Sequence, residues 1–375
     1  MKPQFNPFLS SAIAITLAAV VAPCYAGDVM KANNADALNA TTSWIGGSVP
    51  GTGDVAVWNN TVAAANSTNL GGALSWQGIR IADPAGLVTL NHTAATTLTL
   101  GSAGIDMSAA TQNLTFGTNA GLVVGMNQIW NLNRGRTLTM GRALTGAGNL
   151  NLTATGTTGI SVVTNSTLFP AYTGSLTIGA NVHLRSTANA TGAWMGTQTV
   201  TLAGGEVWQN VNGSVGWSNA LNVASGSTGN AIVCNATSTG AIRSIALNGV
   251  ISGGGSGSVL IFRNQGYMPF NGLTDSKGFI ITRASTFEGT IRIENTHATY
   301  GSFLRIGADR NSDIDGRNYA AGGNNGSLHA NANIALDNAR SVLLLMRNDA
   351  HTFANPISGT GEVWIGHSTL SDTTT

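Results

Sequence analysis

The stretch Gly141-Arg-Ala-Leu-Thr-Gly-Ala-Gly-Asn-Leu150 returns as Asn248-Gly-Val-Ile-Ser-Gly-Gly-Gly-Ser-Gly-Ser-Val259, and again as Asn355-Pro-Ile-Ser-Gly-Thr-Gly-Glu-Val363. Each copy runs from an apolar residue through Ser or Thr into a Gly-x-Gly or Gly-rich phrase, and ends in an apolar strand. The copies lie roughly 105 residues apart, which makes each one the restart of a super-repeat of several coils. A β-sandwich is built from a handful of unlike strands, whereas a solenoid repeats one coil, so this recurrence favours the solenoid.

Between the copies, short alternating runs fill the chain. Examples are Thr97-Leu98-Thr99-Leu100, Asn113-Leu114-Thr115-Phe116, Thr137-Leu138-Thr139-Met140, Asn149-Leu150-Asn151-Leu152, Ser175-Leu176-Thr177-Ile178 and Gly289-Thr290-Ile291-Arg292-Ile293. Each has one apolar face and one polar face, the period of a strand. Most close on a glycine, as at Gly101, Gly117, Gly141 and Gly179. After about residue 40 no segment carries helical periodicity. The expected fold is all-β, a right-handed parallel β-helix with an N-terminal cap over residues 27–70 and degenerate coils over 71–375. With coils of about 20 to 25 residues, roughly 14 to 17 of them would stack into a body about 65 to 80 Å long. The terminal coils need caps, because they expose strand edges.

Composition agrees. The 375 residues include 49 glycines, 42% are hydrophobic, only 9% are charged, and the formal net charge is +1. Such a balance argues against disorder and against a nucleic-acid surface. The polar surface is made of Asn, Thr, Ser and Gly, residues suited to short strands and tight turns.

The first residues set the expected compartment. Lys2 precedes an apolar run from Phe8 to Ala22, followed by Pro23-Cys24-Tyr25-Ala26. This has the form of a signal peptide cut after Ala26, so residues 1–26 are assigned as a cleaved leader and the protein as extracellular or surface-bound. The apolar run is short of the roughly 20 residues a spanning helix needs, so no transmembrane segment is expected in the mature chain. Cleavage removes Cys24 and leaves Cys234 without an intramolecular disulfide partner.

Trp44-Ile-Gly-Gly-Ser-Val-Pro50-Gly51-Thr-Gly53-Asp54-Val-Ala-Val-Trp58, followed by Asn69-Leu-Gly71-Gly72-Ala-Leu-Ser-Trp76, resembles the opening module of bacterial proteins with autotransporter-associated β-strand repeats. The resemblance extends over the mature chain through the Gly-x-Gly restart phrases. It implies a parallel β-helix displayed outside the cell, as an autotransporter passenger or a related surface protein. It implies no reaction and no catalytic residues. A complete autotransporter ends in a membrane barrel, and this chain stops at Ser371-Asp372-Thr-Thr-Thr375. Any outer-membrane anchor would therefore lie outside it.

The chemistry-bearing residues are few. Between Asp106 and Asp275 the sole carboxylate is Glu206, so that stretch supplies no acid pair of the kind glycoside hydrolysis needs. Asp275, Glu288, Glu294 and Asp337 are among the acids farther on, and are expected to be solvated strand faces and turns. A carbohydrate-active enzyme, a polysaccharide lyase or glycosidase drawing on residues 275–349, is the alternative. Its mark would be three or four carboxylates or basic residues meeting in one groove. Asn311, Asp313 and Asp315 alternate as calcium ligands do, with Gly316 at the turn, but position 12 is Gly322 where a bidentate Glu belongs. A solvated loop is the primary expectation there and a calcium site the alternative; no other cofactor is indicated.

His92, His183, His297, His329, His351 and His367 show no metal-binding spacing and are expected on exposed strands or turns. Cys234 follows Ala231-Ile-Val, which suits a buried, inert thiol. Gly253-Gly254-Gly255-Ser-Gly257 lacks the Lys-Ser/Thr end of a phosphate loop and reads as a turn. Trp44, Trp58 and Trp76, and later Trp194, Trp208 and Trp217, are expected to plug the cap and the coil interior, with sugar stacking as the alternative. The functional expectation is a structural or adhesive surface protein contacting glycans, extracellular matrix or other cells; a self-assembling coat component is a third possibility.

Overall fold

The computed structural model describes residues 27–165, 169, 171–188, 192–210, 215–235, 244–266, 278–307, 326–346 and 350–366. Residues 1–26, the expected leader, lie outside them. Among the described residues the strands are short, one 3-10 turn at Thr41–Ser43 is the only helical element, and no helix is long and apolar enough to cross a membrane.

The strands stack in parallel, each on its counterpart one coil away. One face is the ladder Asn66–Asn69, Val88–Asn91, Leu114–Phe116, Thr137–Met140, Ser161–Asn165, Val182–Ser186, Glu206–Gln209, Asn230–Cys234, Ile251–Asn264, Glu288–Asn295, Asn333–Leu336 and Ile357–Gly359. A second face starts at Gly27–Met30, Asp54–Trp58 and Leu74–Ile81 and merges with the first at Ile251–Asn264, giving a 23-stranded sheet. A third face of six strands runs from Val215–Trp217 to Glu362–Gly366. This is the parallel β-helix that the alternating runs predicted, and a right-handed sense is the one that strand twist favours for parallel crossovers.

Among the described residues, coil length varies more than expected. One coil separates Val163 from Leu184, but another separates Ile291 from Ile334. The twelve rungs of the first ladder, at about 4.8 Å each, span about 50 Å. The described strands themselves stay near four to six residues in most coils, so the difference does not lie in them.

Alternation sends one residue of each pair inward. Val88, Leu114, Leu138, Val163, Leu184, Val207, Ile232, Phe262, Ile293 and Leu336 form one continuous inner column, all buried. Each such side chain contributes roughly 1.5–3 kcal/mol by leaving water. Every coil thus buries its apolar residues against its neighbours, so the core grows with the number of coils.

The restart phrases share one local geometry. Gly146, Gly253 and Gly359 all have positive φ, at 108°, 80° and 104°. A Cβ on them would come within 2.3, 2.4 and 2.0 Å of the carbonyl oxygens of Val124, Val223 and Leu336, one coil away. The preceding hydroxyls of Thr145, Ser252 and Ser358 donate to the carbonyls of Leu122, Leu221 and Ile334, at 3.4, 3.2 and 3.2 Å. Both requirements, left-handed backbone and close approach to another chain segment, select glycine. Gly253, Gly254, Gly255 and Gly257 are not a free turn. They lie inside Ile251–Asn264, bending one strand from one face to the next, and the register against Glu288–Asn295 shifts between Gly254 and Val259.

At the N-terminal end, Trp44 meets Trp58 and Trp76 edge-on at 5.7 Å, and all three are buried. Trp44 Nε1 donates to Leu38 O and Trp58 Nε1 to Asn66 Oδ1. Lys31 is fully buried beside them, its ammonium donating to Ala32 O, Asn34 O and Asn34 Oδ1 at 2.8–2.9 Å. Burial lowers its pKa to about 8, against an upward pull from Asp36.

Candidate functional site

The densest polar constellation lies on the outer side of the first ladder. Because side chains alternate across a strand, His183 and Arg185 share the outer side of Val182–Ser186, and Glu206 and Trp208 that of Glu206–Gln209. Parallel register stacks His183 on Glu206 and Arg185 on Trp208. It continues through Ala231 and Val233 to Ile261 and Arg263, and then to Arg292 and Glu294. Trp208, Ala231, Val233 and Ile261 form a small apolar cluster separate from the main core.

Glu206 is the hub. Its Oε2 accepts from Trp208 Nε1 at 2.6 Å and lies 3.0 Å from His183 Nε2; its Oε1 accepts from Arg263 at 2.8 Å. Arg263 reaches two rungs to do so, and its other amine donates to Glu294 at 3.2 Å. Ala231 stands between Glu206 and Ile261 in the stack, and its small side chain leaves room for this diagonal. Burial raises the Glu206 pKa, but the hydrogen bonds and charges of His183 and Arg263 outweigh it and hold it at about 2. Burial lowers the pKa of Arg263, but Glu206 and Glu294 together outweigh it and raise it.

Arg185 completes the group. Its guanidinium carbon sits 4.4 Å from the Trp208 ring centroid, and an NH2 lies 3.2 Å from His183 Nδ1. The His183 ring stacks on Trp208 at 4.7 Å. Burial lowers the pKa of Arg185, with an upward pull from Glu206.

The structure revises several expectations. Glu206 is alone in its stretch of sequence but not in space, because the solenoid brings Glu294 to the far side of Arg263. His183 is buried, not exposed, and Trp208 packs on the outside of the ladder, unlike Trp194 and Trp217, which lie 5.7 Å apart in the interior. Asp337 is held by Arg292 Nε at 2.7 Å, and Glu288 lies 3.7 Å from His329. Cys234 is buried. Asn311, Asp313 and Asp315 lie outside the described residues, as do Asp275 and His367. Among the described residues no three His, Cys, Asp or Glu side chains group to hold a metal.

Arg263 and its link to Glu206 escaped the sequence because 57 residues separate the two. Their common parity in alternating strands is the signal that a known coil length would have exposed. Compared with family models, curated proteins and solved structures, the chain matches none.

Proposed function

We propose that this protein is an exported, surface-displayed β-helix of structural or adhesive function, related to autotransporter passengers, whose long sides contact glycans, matrix or other cells. The observation that carries this reading is the unbroken parallel ladder combined with a half-buried charge cluster that ties Glu206 to neighbouring coils. Both oxygens of Glu206 are occupied, and a carboxyl group with a pKa of about 2 is no proton donor at neutral pH. The cluster thus serves as a clamp between coils.

A second reading, a carbohydrate-active β-helix, draws on the meeting of His183, Glu206, Arg263 and Glu294 on one sheet side. One experiment separates the two. The full chain is expressed with its leader in a bacterium with an outer membrane, and surface exposure, the mature N-terminus and polysaccharide cleavage are measured. Expected are a product beginning at Gly27, accessible to external protease, that retains cells on glycan-coated surfaces and leaves polysaccharides intact. Polysaccharide cleavage abolished by Glu206→Gln would establish the enzyme instead, and a product confined to the cytoplasm would refute surface display.

A further inference from the structure

The outer side of the first ladder carries a second pattern, on the N-terminal side of the charge cluster. Ser67, Thr89, Thr115, Thr139 and Thr164 stack in strict register on five successive rungs, and the sixth rung places Arg185 in the same column. The four threonines are half-buried, and no hydrogen bond to another described residue engages their hydroxyls, whereas Ser67 Oγ accepts from Asn91 Nδ2 at 3.2 Å. By contrast, Thr145, Thr153 and Thr155 on another part of the coil donate to carbonyls of the adjacent coil.

Arg185 is also incompletely engaged. One NH2 meets His183 and one face covers Trp208, but its Nε is a buried donor with no acceptor, and no carboxylate bonds to it. Glu206, bonded to Trp208, is the carboxylate whose charge acts on Arg185, and the stretch of sequence on its N-terminal side is basic. Between Asp106 and Glu206 the chain has Arg134, Arg136, Arg142 and Arg185 and no acid. None of these arginines is ion-paired among the described residues. The small net charge of the whole chain therefore conceals a cationic middle.

We infer that the column from Ser67 to Arg185 is a docking track for an acidic polysaccharide, with Arg185 taking a uronate carboxylate and the threonine column taking sugar hydroxyls. Guanidinium groups bind carboxylates through charge-assisted hydrogen bonds, and the packing of Arg185 on Trp208 orients it before any ligand arrives. Hydroxyls repeating at about 4.8 Å suit an extended polymer lying along the solenoid axis. This inference rests on the adhesive reading above and names its partner.

The test uses the full chain with alginate as the polyuronate, a neutral glucan and duplex DNA, measured by calorimetry at two salt concentrations. Alginate is expected to bind, with affinity falling as salt rises. Arg185→Gln is expected to weaken alginate binding about tenfold or more, while leaving any glucan binding unchanged. Because Arg185 also packs on Trp208, the near-isosteric pair Thr139→Val and Thr164→Val provides the independent arm. It removes two free hydroxyls from strands that valine favours, and is expected to weaken alginate about threefold or more with the circular dichroism spectrum unchanged.

Alginate affinity unaltered in both variants would overturn the track. So would DNA binding as tightly as alginate and losing the same factor with Arg185→Gln, since that marks a general polyanion patch. A chain that is displayed and adhesive but does not bind alginate defeats this inference alone. A chain that binds alginate but stays in the cytoplasm defeats the display reading alone.

Discussion

Replacing Glu206 by glutamine tests whether the charge cluster clamps the coils. The substitution keeps the shape but turns an NH2 toward Arg263 or toward the two donors, His183 Nε2 and Trp208 Nε1, that converge on Oε2. The folded-state pKa of about 2, against an ordinary value of 4.5, corresponds to about 3 kcal/mol favouring the ionised, folded form. A depressed carboxylate pKa contributes its stability in full above about 4.5, and loses it as pH falls from there through about 2. Glu206→Gln should therefore cost about 3 kcal/mol at pH 7, and the gap to the wild type should close across that acid window. Long repeat arrays do not unfold as one unit, so the measurement must be local. Amide hydrogen exchange at Val207, Ile232 and Phe262, three successive rungs of the inner column, reports the clamp directly. Protection within about 0.5 kcal/mol of wild type at pH 7, or a gap that stays constant down to pH 2, would refute the clamp.

Gly253→Ala, with φ at 80° and its Cβ 2.4 Å from Val223 O, should lose about 1–3 kcal/mol or more, seen as increased exchange in Leu221–Val223 and Ile251–Asn264. Gly226→Ala, also at positive φ but with open space around its Cβ, should cost less, and equal losses would contradict the close-contact argument. Trp76→Ala should cost about 3–5 kcal/mol and loosen the Trp44 and Trp58 packing, read by near-ultraviolet circular dichroism. Lys31, with a pKa of about 8 folded and 10.5 unfolded, binds fewer protons when folded between those values. The N-terminal coils should therefore gain stability as pH rises from 8 towards 10, and Lys31→Met should flatten that rise in a thermal melt.

Which parts of this architecture were legible in the sequence follows from how local each signal is. Thr137-Leu138-Thr139-Met140 shows strand period and buried face within four residues, and the structure places Leu138 and Met140 inside. The restart phrase was visible because left-handed glycines leave a compositional mark. Coil number was not, because coil length is not fixed: Val163 and Leu184 are one coil apart, and so are Ile291 and Ile334. The Glu206 cluster was invisible for a related reason: its members come from strands separated by whole coils, and only register brings them together. A carboxylate that stands alone in sequence has no isolation in a solenoid, where its neighbours are one and two turns away.

The common geometry at Gly146, Gly253 and Gly359 bears on how such a chain can change length. At each of the three positions the incoming strand offers the same hydroxyl donor and the same side-chain-free contact to the coil beneath. Gly146 and Gly253 stand on the second face, so either of those two surfaces can receive the coil that normally follows the other, whereas Gly359 stands on the first ladder. Deleting the block between Gly146 and Gly253, or duplicating it, joins surfaces already shaped for each other, so rods of different reach are accessible by in-frame recombination without new packing having to be found.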